Sequence, residues 1–456
     1  MTLRRLIGLA AVALLTAVAV AACSRDPGTL DPWPPNTDPI VFEDQFTGLV
    51  EFYAFGNSQL DALSVQTAEQ YEGTSCLRIR VPAPGGKYAG GAFVASQQRD
   101  LSGYTALTFY AKASRAVTLE KAGLGNDNTG TSKYDASVAN LQIGTTYKKY
   151  VIPIPLPARL RAERGLFFFS APTQGDSGYD IYVDEVKFEF VPGIADPRPV
   201  MSPRTVNTFV GAVTAVQGTR VTFKVDATDV LVNHNPAYFD YTSSDSSVAI
   251  AADGVIRVLG VGSAVITARL DTLAAAGAVN LNAGAFTPGL APVPTRPAKD
   301  VISIFSNVYP NRYVDKWSAD WDDADVTDLQ IYGDDLKLYT NLIFAAIEFT
   351  SQTIDASAMT HLHMDVWFPT GTLLKIKLAD FGPDGVYNKP PAPSDDSESQ
   401  VAFTTGSTPP LVTGTWMGLE MPLANFTNLA SRAHLAQLVI EGNPSSVYVD
   451  NIYFHK

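Results

Sequence analysis

The segment Thr105-Ala106-Leu107-Thr108-Phe109-Tyr110-Ala111 decides the fold class of this chain. Its apolar residues Leu107 and Phe109 alternate with more polar ones, and a period of two places them on one face of a β-strand. The same alternation returns in Tyr182-Val183-Asp184-Glu185-Val186-Lys187-Phe188, whereas no long stretch shows the 3.6-residue period of an amphipathic helix. Short runs of this kind, separated by abundant glycine and proline, predict an all-β protein built from sandwiches.

Clusters of proline divide the chain of 456 residues into three modules. Prolines gather between residues 192 and 203 and again between 288 and 297, and such clusters mark linkers between folded segments. We therefore expect β-sandwiches over residues 41–192, 204–271 and 299–456, with 272–298 as a linker. The length agrees with this division, because it exceeds what one hydrophobic core supports.

The first and third modules carry the same landmarks in the same order. Asp100-Leu101-Ser102 in the first module matches Asp355-Ala356-Ser357 in the third, and each lies shortly before an alternating strand. The closing strands both contain Tyr-Val-Asp, at residues 182–184 and 448–450. The shared order predicts that one fold is used twice.

These landmarks also resemble known families. Asp100-Leu101-Ser102-Gly103-Tyr104, with the closing Tyr-Val-Asp strand, resembles carbohydrate-binding modules of the galactose-binding jelly-roll type. The third module resembles the C-terminal modules of laminarin-type β-glucan-degrading and surface glycan-binding proteins. Its matching stretches are 301–306, 361–367, 376–382 and 447–451. The middle module resembles a group 2 bacterial Ig-like domain through residues 243–249 and 262–268. The implied fold class is all-β, with two jelly-roll β-sandwiches separated by an Ig-like β-sandwich.

The N-terminus has the features of an exported lipoprotein. The apolar run Leu6–Val20 is shorter than the roughly 20 residues of a membrane span, and it follows a basic pair, as in a signal peptide. Val20-Ala21-Ala22-Cys23 resembles a bacterial lipobox. We expect residues 1–22 to be a signal peptide and Cys23 to be acylated. Ser24 resembles the residue that sorts lipoproteins to the outer membrane, so we expect a lipid anchor there, at the cell surface.

Composition excludes some partners and one form of crosslink. The formal net charge of −13 argues against nucleic acid as a partner, because phosphate binding depends on Lys and Arg. Apart from Cys23 the chain contains only Cys76. No intrachain disulfide is therefore expected, and Cys76 lies in an apolar run typical of a buried thiol. Residues 23–40 are rich in proline and predict an extended tether.

The sequence gives no support to two kinds of catalytic site, a serine protease triad and a glycosidase pair of carboxylates. Gly175-Asp176-Ser177-Gly178 resembles the nucleophile motif of chymotrypsin-like proteases, but the first histidine of the chain, His234, follows it. In that family the histidine precedes the serine, so the motif is interpreted as a turn. No pair of carboxylates is marked for glycoside hydrolysis. The sequence therefore predicts a protein that is not an enzyme.

His361, His363 and Asp365 share one face of a strand and are residue types that can ligate zinc. Val366 occupies the position where a metallohydrolase motif requires a further histidine. A catalytic metal is therefore less consistent with the sequence than a binding face, or simply the wetted side of a sheet.

The third module contains four of the five tryptophans, and stacking of sugar rings on flat aromatic faces makes them candidates. Trp317 and Trp321 fall in a strongly polar segment, where we expect their side chains to be exposed. On the strand 361–367 the apolar residues alternate with three that must point away from the core. A lysine on the next strand lies within reach of them. The expected carbohydrate site is Trp317, Trp321, His363, Asp365, Trp367 and Lys377. In the first module Tyr53, Phe55 and Tyr88 are the first candidates.

The resemblance also implies structural Ca²⁺, held by oxygen ligands between the start of a jelly roll and its closing strand. The matching positions are Glu43 or Asp44 with Asp184 in the first module, and Asn307 with Asp450 in the third. The alternative is that the two aspartates of the closing strands bond backbone amides.

The function that the resemblance implies is capture of a polysaccharide, a β-glucan such as laminarin, by a non-catalytic surface lipoprotein. Its partners would be glycoside hydrolases and an outer-membrane transporter. Two alternatives stay open, a structural or adhesive surface lipoprotein and a glycoside hydrolase of unrecognised type.

Overall fold

The computed structural model describes residues 35–47, 49–387 and 395–456. The expected signal peptide, the acylated Cys23 and the tether up to residue 34 lie outside these residues. Within them, no helix has the length and apolar character needed to cross a membrane. The described chain is all-β, which confirms the predicted fold class. Its only helical elements there are single turns of 3-10 helix at Pro157–Arg159, Pro236–Tyr238, Ala298–Asp300, Thr350–Gln352 and Leu423–Asn425.

The chain separates into two compact units, one with residues up to Asp196 together with Phe223–His234, the other with Pro197–Thr222 and Asn235–Lys456. The first module supplies eleven strands. They are β1 Ile40–Phe42, β2 Val50–Ala54, β3 Leu63–Gln66, β4 Cys76–Val81, β5 Ala89–Arg99, β6 Ala106–Ala113, β7 Val117–Leu124, β8 Ala136–Ile143, β9 Lys148–Pro153, β10 Glu163–Ala171 and β11 Tyr179–Glu189.

These strands form two sheets that face each other. One sheet has the order β3-β4-β11-β6-β9, with β1 also paired to β11, and the other contains β8-β7-β10-β5-β2. Phe109 of the first sheet packs against Phe167 of the second at a centroid distance of 5.3 Å. Both rings are fully buried. The alternation that predicted the sandwich therefore also places aromatic residues in the core between the two sheets.

A buried arginine fixes the start of this module. The Arg99 guanidinium donates to the carbonyl oxygens of Asp38 at 2.9 Å and of Ile40 at 2.6 Å. Its side chain is inaccessible to solvent, so these bonds replace its hydration. Residues 36–40, which the proline-rich composition of residues 23–40 assigned to the tether, are therefore docked on the first module.

The middle module contains β12 Ile194–Val200, β13 Arg204–Phe209, β14 Val213–Ala215, β15 Arg220–Val225, β16 Thr228–His234, β17 Asp240–Ser243, β18 Ala249–Ala252, β19 Val255–Val258, β20 Gly262–Leu270, β21 Leu273–Ala274 and β22 Val279–Gly284. Its two sheets have the orders β13-β22-β20-β17 and β14-β19-β18. Strand β16 instead pairs with β8 of the first module through Asn233 and His234. Strand β22 lies inside residues 272–298, where the sequence predicted a linker.

The third module contains β23 Val301–Phe305, β24 Asp323–Ile331, β25 Asp334–Glu348, β26 His361–Trp367, β27 Leu373–Asp380, β28 Ser397–Thr404, β29 Met417–Pro422, β30 Leu435–Gly442 and β31 Ser446–His455. The long strand β25 belongs to both layers of this sandwich. Its residues 337–340 pair with β31, and its residues 344–348 pair with β30. The layers β25-β31-β26-β29 and β25-β30-β27-β28 therefore share it, and Met364 and Ile376 meet in the core between them.

The first and third modules have the same topology. The order β8-β7-β10-β5 corresponds to β28-β27-β30-β25, and β11-β6-β9 corresponds to β31-β26-β29. The short opening strands β1 and β23 pair with the closing strands β11 and β31 in the same way. The prediction that one fold is used twice is confirmed.

Candidate functional site

A groove of about 700 Å³ crosses the outer face of the layer β25-β30-β27-β28. Leu438 and Ile440 of β30 are buried in the core, so the alternating residues Gln437, Val439 and Glu441 must face outward. All three line the groove. Strand β30 therefore supplies its centre, and the neighbouring strands supply its sides.

Two pairs of aromatic rings stand at opposite sides of this centre. Trp321 and Phe344 lie on the β25 side with centroids 5.8 Å apart. Phe381, which directly follows β27, and Tyr387 lie on the other side, 5.3 Å apart. The β25 and β27 backbones are about 10 Å apart, two interstrand spacings. The side chain of Trp321 is 53% exposed, so a ring face is open to a ligand.

Hydrogen bonds hold the groove's polar side chains in place. Glu348 accepts from Trp321 Nε1 at 2.9 Å and from Gln437 Nε2 at 3.2 Å, both on the same oxygen, Oε1. The bond from Nε1 fixes the orientation of the Trp321 indole. Two ion pairs involve lysines of β27, Lys375 with Glu441 at 2.6 Å and Lys377 with Glu398 at 3.4 Å.

Of the six side chains expected from the sequence, Trp321 and Lys377 line this groove. Trp317 does not, because it packs against the core of the third module. Its ring meets Phe305 edge-on at 5.2 Å, and the Lys337 ammonium lies 4.2 Å above it. The polar residues around Trp317 therefore wrongly predicted that its side chain is exposed. The Trp317 ring points inward and covers an edge of the sandwich.

His363, Asp365 and Trp367 belong to the other layer and are 9%, 3% and 6% exposed. They point away from the core, as the alternation predicted, but residues 284–297 cover that face. Phe286 packs on Tyr448 beside the Trp367 ring. The prediction that His363, Asp365 and Trp367 form an exposed binding face is therefore wrong, because residues 284–297 lie over them.

The covering segment is attached by several hydrogen bonds along its length. The indole Nε1 of Trp416 donates to the Gly289 carbonyl at 3.1 Å. Asn451 Nδ2 donates to the Pro292 carbonyl at 3.2 Å, and the Tyr309 hydroxyl to that of Arg296 at 2.9 Å. The segment that the sequence assigned to a linker is therefore part of the sandwich surface.

Charged side chains beneath the segment neutralise one another. His363 bonds Glu420 at 3.0 Å and Asp365 at 3.3 Å, and His455 bonds the second oxygen of Glu420 at 2.9 Å. Burial opposes the charged form of His363, but its bonds to Asp365 and Glu420 raise its pKa to about 9. The bond to His363 is the main cause that lowers the Glu420 pKa to about 2. The network satisfies these charged groups with one another. His363, Asp365 and Glu420 also line a cavity of about 450 Å³ together with residues 292–297.

In the first module, the residues expected to bind calcium have other partners. Asp184 accepts from the backbone amides of Tyr71 at 2.8 Å and Glu72 at 3.3 Å. Asp44 accepts from the amides of Thr74 and Ser75, while Glu43 lies 3.5 Å from the Lys187 ammonium. This arrangement matches the alternative in which the closing-strand aspartate bonds the backbone.

In the third module, Asn307 exchanges two hydrogen bonds with Asp335, at 3.1 and 3.0 Å. Asp450 accepts from the Asn451 amide at 2.6 Å. Burial, followed by repulsion from Asp334, raises the Asp450 pKa to about 7. No group of three or more His, Cys, Asp or Glu side chains that could hold a metal ion occurs in the described ranges. The calcium ions stay a prediction.

The equivalent outer face of the first module is more closed. Phe55 packs edge-on against Phe168 at 6.5 Å, and Phe168 is itself buried. A Cβ at Gly123 would lie 2.5 Å from the Phe168 ring, so the glycine allows this ring to lie flat on the sheet. Tyr53 remains partly exposed, and Tyr88 lies over Gly90 in the same manner.

The groove contains residues that sequence reasoning did not select, namely Phe344, Glu348, Phe381, Tyr387, Glu398, Gln437, Val439 and Glu441. Those on β25 and β30 alternate with buried residues, and this is the available sequence signal. Alternation identifies an outward face, but not which outward face stays open.

No protein-family model and no curated protein matches the chain. Among solved structures, a family 30 carbohydrate binding module shares 15% identity over 34% of this chain and 84% of its own, with a TM-score of 0.23. The family 11 carbohydrate-binding module of the Clostridium thermocellum cellulase Lic26A-Cel5E shares 12% over 36% and 96%, with a TM-score of 0.25. A β-1,2-glucanase from Parabacteroides distasonis shares 11% over 55% and 40%, with a TM-score of 0.25. Similarities at these TM-scores do not assign the chain to a family.

Proposed function

We propose that this protein binds a polysaccharide, a β-glucan such as laminarin, in the groove of the third module and does not cleave it. The observation that carries the proposal is the combination of two aromatic pairs with a central row of polar side chains. Pyranose rings have apolar C–H faces that stack on aromatic rings, and their hydroxyls donate to carboxylates and amides. Trp321 and Tyr387, which are 53% and 45% exposed, offer the ring faces. Glu348 and Gln437 offer oxygen acceptors between them.

The positions of the carboxylates support binding without hydrolysis. Glu348, Gln437, Ala379 and Glu398 occupy one row across four strands. The outer two backbone positions are therefore about 14 Å apart, three interstrand spacings. Glycosidases hold their two carboxyl groups roughly 5 to 9.5 Å apart, with the scissile bond between them. Glu348 and Glu398 would reach this spacing only if both side chains leaned towards each other. The row suits contacts along a glycan chain better than attack on one bond.

The remaining parts of the proposal rest on the N-terminal sequence. A lipid at Cys23 would hold the protein on the bacterial outer membrane, facing the cell surface. A bound glucan would then be available to glycoside hydrolases and to an outer-membrane transporter in the same membrane. An adhesive role of the same sandwiches is the alternative, and it predicts no affinity for soluble glycans.

Calorimetry and affinity gels with laminarin, mixed-linkage glucan, cellulose, xylan and alginate test the proposal. Trp321→Ala and Tyr387→Ala should each weaken binding of the preferred glucan by about tenfold or more, since truncated aromatic anchors typically cost about 2 kcal/mol. Tyr313→Ala is the matched control, because this exposed aromatic residue of the third module does not line the groove. Normal binding by both groove variants would place the site elsewhere, and release of reducing sugar would identify an enzyme.

A further inference from the structure

The groove has an unequal charge distribution. Three carboxylates line it, those of Glu348, Glu398 and Glu441, against one ammonium, that of Lys377. The nearby Lys375 adds a second ammonium, which bonds Glu441 at 2.6 Å. The two lysines therefore offset two of the three carboxylates, and each lysine already has a carboxylate partner. A ligand in the groove therefore meets an excess of negative charge.

The single lining cation is also partly neutralised. Lys377 Nζ lies 3.4 Å from Glu398 Oε1 on the adjacent strand. The register pairs Lys377 with Val439 on its other side, so no second carboxylate or cation stands next to it in that row. An anionic group placed over Lys377 would thus approach Glu398 at nearly the same distance.

From these pairs we infer that the groove selects uncharged glycan chains and rejects polyanionic ones, with Glu398 and Glu441 as the specificity-determining residues. The inference rests on the proposed function of the groove. A glycan with a carboxylate on each sugar would bring like charges within the Debye length of about 8 Å at physiological ionic strength. The aromatic rings lower the local dielectric and strengthen that repulsion. An uncharged sugar instead donates its hydroxyls to the same carboxylates.

Laminarin and carboxymethylated laminarin provide the test, because they share one backbone and differ in charge. We expect the carboxymethylated chain to bind at least about tenfold more weakly at low salt and to recover part of that loss at high salt, since salt screens repulsion between charges. Binding of laminarin itself should change little with salt. A steric block by the carboxymethyl groups would not respond to salt.

Variants that remove single negative charges identify the residues that weaken binding of the carboxymethylated chain. Glu398→Gln and Glu441→Gln, singly and together, should narrow the ratio of the two affinities, the double variant most. Asp271→Asn is the control, because it makes the same charge change at an exposed turn residue of the middle module.

Three outcomes are decisive. Equal binding of both chains at low salt overturns the charge inference and leaves the proposed function intact. Rejection that persists at high salt and in the double variant also overturns it. Failure of the native protein to bind any uncharged glycan overturns the proposed function itself.

Discussion

Asp450 is the residue with the clearest consequence for pH dependence. Burial raises its pKa to about 7 in the folded state, against an ordinary value of 3.8. The folded protein therefore holds this proton more tightly than the unfolded chain does. The contribution to stability is full below pH 3.8 and is lost as the pH rises towards 7. Asp450→Asn, which keeps the shape without the charge, should raise the free energy of unfolding at pH 8 by about 1 to 3 kcal/mol and change it little at pH 3.5.

Thermal unfolding of the variant and the native protein at both pH values checks this prediction, with and without a calcium chelator. Bound calcium would reverse the result, because the ion needs the charged carboxylate. In that case Asp450→Asn would lower the melting temperature at pH 8, and chelator would lower that of the native protein. The same experiment therefore decides whether the calcium implied by the sequence resemblance is present.

Single residues also show where sequence reasoning stops. Trp321 could be selected as exposed because polar residues surround it, yet the same argument failed for Trp317, only four positions away. The difference is the direction of each ring relative to Phe305 and Lys337, which come from other strands. Neighbours in sequence do not reveal such contacts.

At the level of elements, the alternating strands could be predicted from the sequence, but the segments that lie over their outer faces could not. The outward direction of Trp367 follows from the period of two, but residues 284–297 bury it. Proline content made that segment resemble a linker. Proline has no amide hydrogen to donate, yet its carbonyl can accept, as that of Pro292 does from Asn451. Composition describes the local backbone and cannot show that distant side chains bind it.

The attachment of residues 284–297 gives an element-scale prediction. The native protein should resist limited proteolysis between these residues, because cleavage requires local unfolding of a segment that is held along its length. Phe286→Ala combined with Tyr309→Phe removes the contact with Tyr448 and the hydrogen bond to the Arg296 carbonyl. Cleavage in this segment should then become several-fold faster, as followed by mass spectrometry of the fragments. Tyr313→Phe is the control. Rapid cleavage of the native protein here would contradict the docking.

Strand pairing between modules is a feature of the whole molecule that the sequence did not indicate. The repeated landmarks predicted two copies of one fold, and the copies agree in topology. The hairpin that contains β16, however, comes from the middle module and extends a sheet of the first through Asn233 and His234. Two residue pairs form the β-ladder of this connection. Such a pairing depends on backbone geometry rather than on a recognisable side-chain pattern, which is why module boundaries drawn from proline clusters separate these strands.

The proposed attachment of the whole protein to a membrane depends on one residue in the N-terminal sequence, Cys23. Acyl chains contribute about 0.8 kcal/mol for each buried methylene group, and stable anchoring takes two of them. Cys23→Ser removes the acceptor, so the variant should appear in the soluble fraction or as an uncleaved precursor. Cys76→Ala is the matched control, since it removes the only other cysteine, which is buried in the first module. Fractionation and incorporation of labelled palmitate measure both variants. If Cys23→Ser still sediments with the outer membrane, something other than a lipid on this residue holds the protein there.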